Sequence, residues 1–192
     1  MCHSLLQALH RKQRLEIGVC GIRSASGLLA LFLSIQSVFR KDSDYMCSIV
    51  WAFLRQRLVS RGRPFSRLHI QVDNAAGECK NRFFLAFLGL LVALDLAQEV
   101  TISMLLQGHT HSQIDQMFSV FFRALAHRHI VRDLGQVTEA MVNFYQPEHR
   151  PLLVLVEHVY DWQTALQVLV LLLILTLPSS ILRSLSLSLS LS

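Results

Sequence analysis

Cysteine is scarce in this sequence, and its four cysteines form no motif. They stand at positions 2, 20, 47 and 79, and no two of them form a C-x-x-C pair. Such pairs build structural zinc sites and thioredoxin-like redox sites, so the sequence supports neither class. Free thiols in a reducing compartment fit this spacing best.

A secretory signal is also missing. The segment at residues 1–14, MCHSLLQALHRKQR, contains no apolar run long enough to act as one, and we expect a protein that is not secreted. The same segment, which we treat as an N-terminal remnant, contains no acidic residue.

What is present is a chain of 192 residues, 52% of them hydrophobic, with a formal net charge of +5. This length is sufficient for one domain with a core of its own. A moderate excess of positive charge allows an anionic partner such as DNA but does not demand one.

The C-terminal residues 164–192 differ from the rest of the chain. Residues 165–182 are mostly aliphatic and approach the roughly 17–25 residues of a membrane-spanning helix, so a membrane anchor is one alternative. Residues 184–192 alternate serine and leucine, as a translated CT repeat would. The segment is then either a gene-model artefact or a low-complexity tail without defined chemistry. We expect it to pack poorly, so that deletion of residues 165–192 leaves stability unchanged.

Residues 15–163 show the pattern of one α/β domain, because strands and helices alternate along the chain and favour a parallel sheet. Apolar periodicity and turn residues predict, in order, a strand at 15–23, an apolar element at 28–39, a helix at 44–58, a strand at 68–72, a helix at 80–96, a strand at 100–106, a helix at 112–125, a helix at 137–145 and a strand at 152–158.

Polar residues follow two of these predicted strands. Asp73 comes directly after the strand at 68–72, His109 follows the strand at 100–106, and Asp115 lies six positions further on. In a parallel pair both carboxyl ends meet at one edge, where α/β proteins place their sites. We therefore expect Asp73 and His109 at the same edge, with Asp115 beside them in the first turn of the next helix.

The segments LHIQVDNAAGECKNRFFLAFLGLLV and LLQGHTHSQIDQMFSVFF resemble a family of mobile-element-derived proteins. Its members carry an aspartate-asparagine, an asparagine-lysine-asparagine, and a glycine-histidine-threonine followed by an aspartate. They look like divergent DDE-type transposases or integrases. The resemblance covers roughly residues 15–163 and implies an α/β fold of the ribonuclease H-like type, a mixed sheet with flanking helices.

The resemblance also implies roles for individual residues. Asp73 takes the place of the second acid of such enzymes, and Asp115 that of the acid on the following helix. Both would bind Mg²⁺ or Mn²⁺, with His109 as a further ligand or proton shuttle. Lys80 and Asn81 match the end of the asparagine-lysine-asparagine segment and would contact nucleic acid. DNA is the partner implied, and the nucleus the compartment.

The densest basic run offers further candidates for contact with nucleic acid, since phosphate backbones attract such residues. From this run, we take Arg61 and Arg63 as candidate nucleic-acid-binding residues. A solvated helix end followed by a loop is the alternative. The run comprises Arg55, Arg57, Arg61, Arg63 and Arg67.

Near its N-terminus the sequence departs from the pattern of these enzymes. A ribonuclease H-like core begins with an acid-bearing strand, whereas the first two predicted elements here match the later hairpin strands. Residues 1–14 supply no acid, and Glu16 lies at the wrong end of its strand. We therefore expect a domain truncated at its front and lacking an obvious first acid-bearing strand, with weak metal binding and little or no cleavage.

Structural alternatives remain for each candidate. Asp73 opens the sequence Asp-Asn-Ala-Ala-Gly, which is good turn chemistry. His109, His111 and Asp115 fit a helix cap with a polar loop, and they lack the H-E-x-x-H spacing of zinc enzymes. A non-enzymatic module that binds nucleic acid or protein, and a membrane-anchored protein, are the two other functional hypotheses.

Overall fold

The computed structural model describes residues 17–72, 77–104, 118–119, 122, 134–146 and 150–176, without the side chains of 134 and 173–176. Five strands and four helices lie within these residues. In chain order they are β1 (Ile17–Arg23), β2 (Leu29–Ile35), α1 (Ser43–Arg61), β3 (Phe65–Val72), α2 (Arg82–Ala93), β4 (Ala97–Met104), α3 (Leu134–Phe144), β5 (Leu152–Leu155) and α4 (Trp162–Thr176).

Strands β1, β2 and β5 form a mixed sheet. β1 and β2 are an antiparallel hairpin in which Arg23 pairs with Leu29, and β5 runs parallel to β2 on its other side. Gly27 has a φ of 89° in the connecting turn, a left-handed conformation that glycine adopts without a steric penalty. Every residue of β2 from Leu29 to Ser34 is buried, as expected of a central strand covered on both faces.

Helix α1 begins and ends with standard capping residues. The Asp42 carboxylate accepts a hydrogen bond of 3.1 Å from the Tyr45 backbone N–H, which satisfies one of the free donors at the first turn. At the other end, Gly62 adopts a φ of 65° and its N–H donates to the Leu58 carbonyl at 2.9 Å. The Tyr45 hydroxyl is fully buried and lies 2.8 Å from the Ser34 hydroxyl of β2.

Strands β3 and β4 form a separate parallel pair, and helix α2 connects them. The register joins Phe65 to Ala97 at one end and Val72 to Met104 at the other. The prediction of a parallel strand-helix-strand unit is therefore confirmed. β3 begins three residues before the predicted position because the Phe65 N–H donates to the Leu96 carbonyl at 3.0 Å.

The two sheets share one core and one layer of helices. Apolar side chains of both sheets pack against α1, α2 and α4, whereas α3 packs on the opposite face of the β1–β2–β5 sheet through Val137 and Met141. A mixed α/β arrangement with flanking helices is thus confirmed. Among the described strands, β3 and β4 pair only with each other, so these strands do not form the single sheet that the resemblance implied.

Helix α4 begins within the core. Ser48 Oγ of α1 accepts hydrogen bonds from the Tyr160 backbone N–H at 2.9 Å and from Trp162 Nε1 at 3.1 Å. The Trp162 ring lies 4.9 Å from the Phe87 ring in a T-shaped contact, and Leu166 is 4% exposed. The expectation that the segment after residue 164 packs poorly is therefore wrong for Leu166.

The part of α4 that follows Leu166 is more exposed to solvent. Its residues 168–172 are all apolar, and each is between 38% and 55% exposed. None of the helices that the structure describes is both long and apolar enough to cross a membrane. The anchor predicted at residues 165–182 extends past α4 into residues outside the description, and it stays a prediction.

Substitution of Ser48 by alanine should lower the free energy of unfolding by about 1–3 kcal/mol, because it leaves two part-buried donors without their acceptor. Urea denaturation measures this loss. Ser66→Ala is the control, since Ser66 is exposed on β3, and it should change stability by less than about 0.5 kcal/mol. Equal effects of the two substitutions would show that Ser48 does not hold α4 to α1.

Candidate functional site

Four strands end and three helices begin at one end of the molecule, which we call the carboxyl edge. Both β2 and its parallel neighbour β5 end there, as does the in-register pair of β3 and β4. Helices α1, α2 and α4 follow β2, β3 and β5 in the chain, so that each begins near this edge. Such edges are where α/β proteins place their binding sites.

Of the predicted acidic and histidine residues, Asp73, His109 and Asp115 lie outside the described residues, which stop at Val72 and resume at Gly77, and stop again at Met104. The structure shows where the two strands that precede these residues, β3 and β4, come to an end. Val72 and Met104 are paired neighbours at the carboxyl edge, and Asp73 is one peptide bond beyond Val72. The assignment of Asp73, His109 and Asp115 to one site stays a prediction.

Asn81 has a structural role that its sequence motif did not reveal. Its side-chain oxygen accepts hydrogen bonds from the N–H groups of Phe83 and Phe84 at 3.1 and 3.0 Å, so it caps α2. Its Nδ2 donates to the Gly77 carbonyl at 3.4 Å. These bonds hold the loop at residues 77–81 at the start of α2. The signal was available in the sequence, because asparagine before an apolar helical run is a common cap.

The candidate basic residues fall at opposite ends of the β3–β4 pair. Lys80 is exposed at the carboxyl edge, between β3 and α2. Arg61 and Arg63 are exposed just before β3 begins, and the guanidinium of Arg61 lies 5.1 Å from the centre of the Phe65 ring. The eight residues of β3 separate the two groups by roughly 25 Å. A surface that used all of these residues would have to follow the length of β3.

Glu78 is a half-buried acid in the same loop. Burial raises the pKa of the Cys20 thiol to about 11. The positive charge of Lys41 opposes this shift, and the negative charge of Glu78 adds to it. Glu78 also contributes, after burial, to the raised pKa of Tyr45. Because these effects require proximity, Glu78 lies in the neighbourhood of Cys20 in β1 and of Tyr45 at the start of α1.

A second group of acids surrounds the starts of α1 and α4. Asp44 accepts hydrogen bonds from the Gln163 backbone N–H at 2.8 Å and from Gln163 Nε2 at 3.2 Å, which fastens the two helices together. Burial, and then the charges of Asp42 and Asp161, raise the pKa of Asp44 against the effect of these bonds. The three acids line a shallow cleft with Phe39, Arg40 and Tyr160. Their visible role is to cap and join helices.

No three His, Cys, Asp or Glu side chains within the described ranges are arranged to hold a metal ion. Any complete metal site at the carboxyl edge must therefore include residues beyond these ranges, such as Asp73 or Asp115.

Comparison of the sequence with known protein families identifies the family of this chain. The chain matches the family described as Domain of unknown function (DUF7869) over residues 7–173, and it belongs to that family.

The family match includes most of α4 and extends beyond residue 163, where the resemblance to mobile-element proteins was expected to end. This agrees with the packing of Trp162 and Leu166 in the core. No curated protein and no solved structure matches the chain.

Proposed function

We propose that this domain is transposon-derived and related to DDE-type transposases and integrases of ribonuclease H-like architecture. Its ancestral chemistry is then metal-dependent cleavage and joining of DNA phosphodiester bonds. The present chain retains weak binding of one divalent cation and some affinity for DNA, with little or no turnover. A nuclear location follows from a DNA substrate and stays a prediction.

The observation that carries this proposal is the parallel pairing of β3 with β4. It brings Val72 and Met104 together at the carboxyl edge, and the acid Asp73 follows Val72 directly. His109 and Asp115 follow β4 in the chain. Carboxylate oxygens are the ligands that Mg²⁺ and Mn²⁺ prefer, so the donor chemistry of Asp73 and Asp115 fits such an ion.

We expect the site to support little or no hydrolysis. A bound divalent cation would polarise a phosphate oxygen, and Asp73 and Asp115 would hold it while His109 moves a proton. Hydrolysis with two ions requires more carboxylates than these. Among the described strands the one acid is Glu99, which pairs with Arg67 at 3.4 Å on an exposed face, with both side chains more than half exposed. It therefore adds nothing to a site at the carboxyl edge.

The test is cleavage of labelled duplex and single-stranded DNA with Mg²⁺ or Mn²⁺, alongside Asp73→Asn and Asp115→Asn. Asp95→Asn is a matched control, because Asp95 is exposed between α2 and β4, at the opposite edge. We expect turnover near the background rate in all four proteins. Robust turnover that only the first two substitutions abolish would contradict the low activity proposed here. Absence of both metal and DNA binding would contradict the retained affinities for a divalent cation and for DNA that we propose.

DNA binding should depend on Lys80 more than on Arg63. Lys80 lies at the proposed edge, whereas Arg63 lies the length of β3 away. Lys80→Gln should weaken binding of DNA of any sequence and should reduce the slope of affinity against salt concentration by about one. Fluorescence anisotropy at several salt concentrations measures both quantities. A larger loss with Arg63→Gln would place the DNA at the opposite edge and favour a binding module unrelated to the proposed metal site.

A further inference from the structure

One face of the β3–β4 pair is polar and largely exposed, and we call it the outer face. The apolar residues of the two strands pack on the core side, and the residues that alternate with them are on the other side. A parallel sheet usually has both of its faces covered, so an exposed polar face in a parallel pair indicates a partner. The outer face consists of Arg67, His69, Gln71, Glu99, Thr101 and Ser103.

We infer that the outer face is a docking surface for the phosphate backbone of DNA. This inference deepens the proposed function and rests on the affinity for DNA that it includes. DNA bound near Lys80 at the carboxyl edge would then continue over the outer face, toward the residues at which β3 and β4 begin.

The outer face and its two ends carry an excess of positive charge. Arg67 lies on the face, and Lys80 is exposed at its carboxyl edge. Arg61 and Arg63 are exposed just before β3 begins. Glu99 is the one acid in the two strands. Phosphates attract such a series of cations whatever the base sequence, so the charge of this face is complementary to DNA.

Arg67 retains hydrogen-bond donors for a phosphate. Its side chain is 86% exposed, and its Nε lies 3.4 Å from Oε2 of Glu99. A guanidinium has five N–H donors in a planar fork, so an ion pair through Nε leaves the Nη groups for contact with phosphate oxygens. Because both partners are exposed, their ion pair is weak, and a phosphate can replace the carboxylate.

Neutral polar groups complete the outer face. His69 Nε2 lies 3.0 Å from the Ser103 hydroxyl, which holds the exposed imidazole ring against β4. Gln71 and Thr101 are exposed beside this pair. Hydroxyl and amide side chains commonly donate to the phosphate oxygens of DNA. Interfaces between proteins have an apolar centre, which this face lacks, so DNA fits it better than a protein partner.

The experiment is binding of labelled duplex DNA by the full chain, measured by fluorescence anisotropy at several salt concentrations. Arg67→Gln should weaken binding about five-fold or more at about 0.1 M salt, and should reduce the slope of affinity against salt concentration by about one. Glu99→Gln should strengthen binding, because it removes the negative charge of the face and releases Arg67.

The matched controls are Arg23→Gln and Glu139→Gln. They make the same changes of charge at exposed positions on β1 and α3, which belong to the other sheet and to the helix that packs on it. Each should change the affinity by less than about two-fold, since salt screens charges that are far from the DNA. All four side chains are exposed, so thermal unfolding of each variant should match that of the wild type.

The outcomes separate the docking surface from the function on which it rests. Equal effects of Arg67→Gln and Arg23→Gln would overturn the outer face as the docking surface and leave the affinity for DNA standing. No binding of DNA by the wild type would overturn both. Tighter binding of duplex RNA than of duplex DNA would overturn DNA as the occupant. Unchanged affinity for DNA in Arg67→Gln, with altered sedimentation of the protein alone, would instead assign the face to contact between copies of the chain.

Discussion

Deletion of residues 165–192 should lower the free energy of unfolding by at least about 3 kcal/mol, because it removes a buried leucine from the core. Leu166 is 4% exposed and packs in the main core, where α4 meets α1 and α2. The deletion also leaves Trp162 without the rest of its helix. Urea denaturation followed by tryptophan fluorescence measures the loss, since Trp51 and Trp162 form an edge-on contact.

The matched control is deletion of residues 177–192, which leaves all of α4 in place. It should change the free energy of unfolding by less than about 1 kcal/mol, since it removes none of the described residues that pack in the core. Equal losses in the two deletions would show that the C-terminal segment stabilises the domain as one unit. No loss in the longer deletion would restore the expectation from sequence that the domain ends near residue 163.

Substitution of Phe87 by alanine should destabilise the protein by about 3–5 kcal/mol, the range for a large aromatic side chain removed from a core. Phe87 is completely buried on α2 and contacts the rings of Phe84 and Trp162. It therefore links α2 to α4. Thermal or urea denaturation measures the change.

Leu85→Ala on the same helix is the control, because Leu85 is 46% exposed. It should cost less than about 1 kcal/mol, since little surface is removed from contact with the core. A cost for Phe87→Ala close to that of Leu85→Ala would mean that the junction of α2 and α4 is not part of the cooperative core.

The unit formed by β3, α2 and β4 could be predicted from the sequence because it depends on patterns among residues that are close together in the chain. The alternation of Leu68, Ile70 and Val72 with polar residues predicts a strand with one buried face, and β3 has that pattern. The apolar run after Asn81 predicts a buried helix, and a helix between two strands then favours parallel pairing of those strands. The observed register of β3 with β4 is the result.

The division into two sheets was not predictable from local pattern. Which strands pair depends on contacts between residues far apart in the chain, such as β2 with β5, where Ala30 pairs with Leu152. The packing of α4 was obscured for a similar reason. Its aliphatic composition resembles a membrane segment, and only the contacts of Trp162 with Ser48 and Phe87 show that it begins in the core.

The candidate site residues were chosen from the sequence by residue type, and the structure shows where those among its described residues lie. Asn81 was chosen as a contact for nucleic acid, but its side chain caps α2. The surroundings of Glu78 could not be seen in the sequence, because its partial burial and its proximity to Cys20 and Tyr45 depend on the fold.

The central claim is that a divalent cation binds at the carboxyl edge of the β3–β4 pair. Titration of isotopically labelled protein with Mn²⁺, followed by nuclear magnetic resonance, tests it most directly, because the ion broadens the signals of nearby amides. We predict selective broadening of the amides of Val72, Glu78 and Met104, with those of Gly62 and Asp95 at the opposite edge unaffected. Broadening centred on the opposite edge, or no selective broadening at millimolar Mn²⁺, would contradict the account.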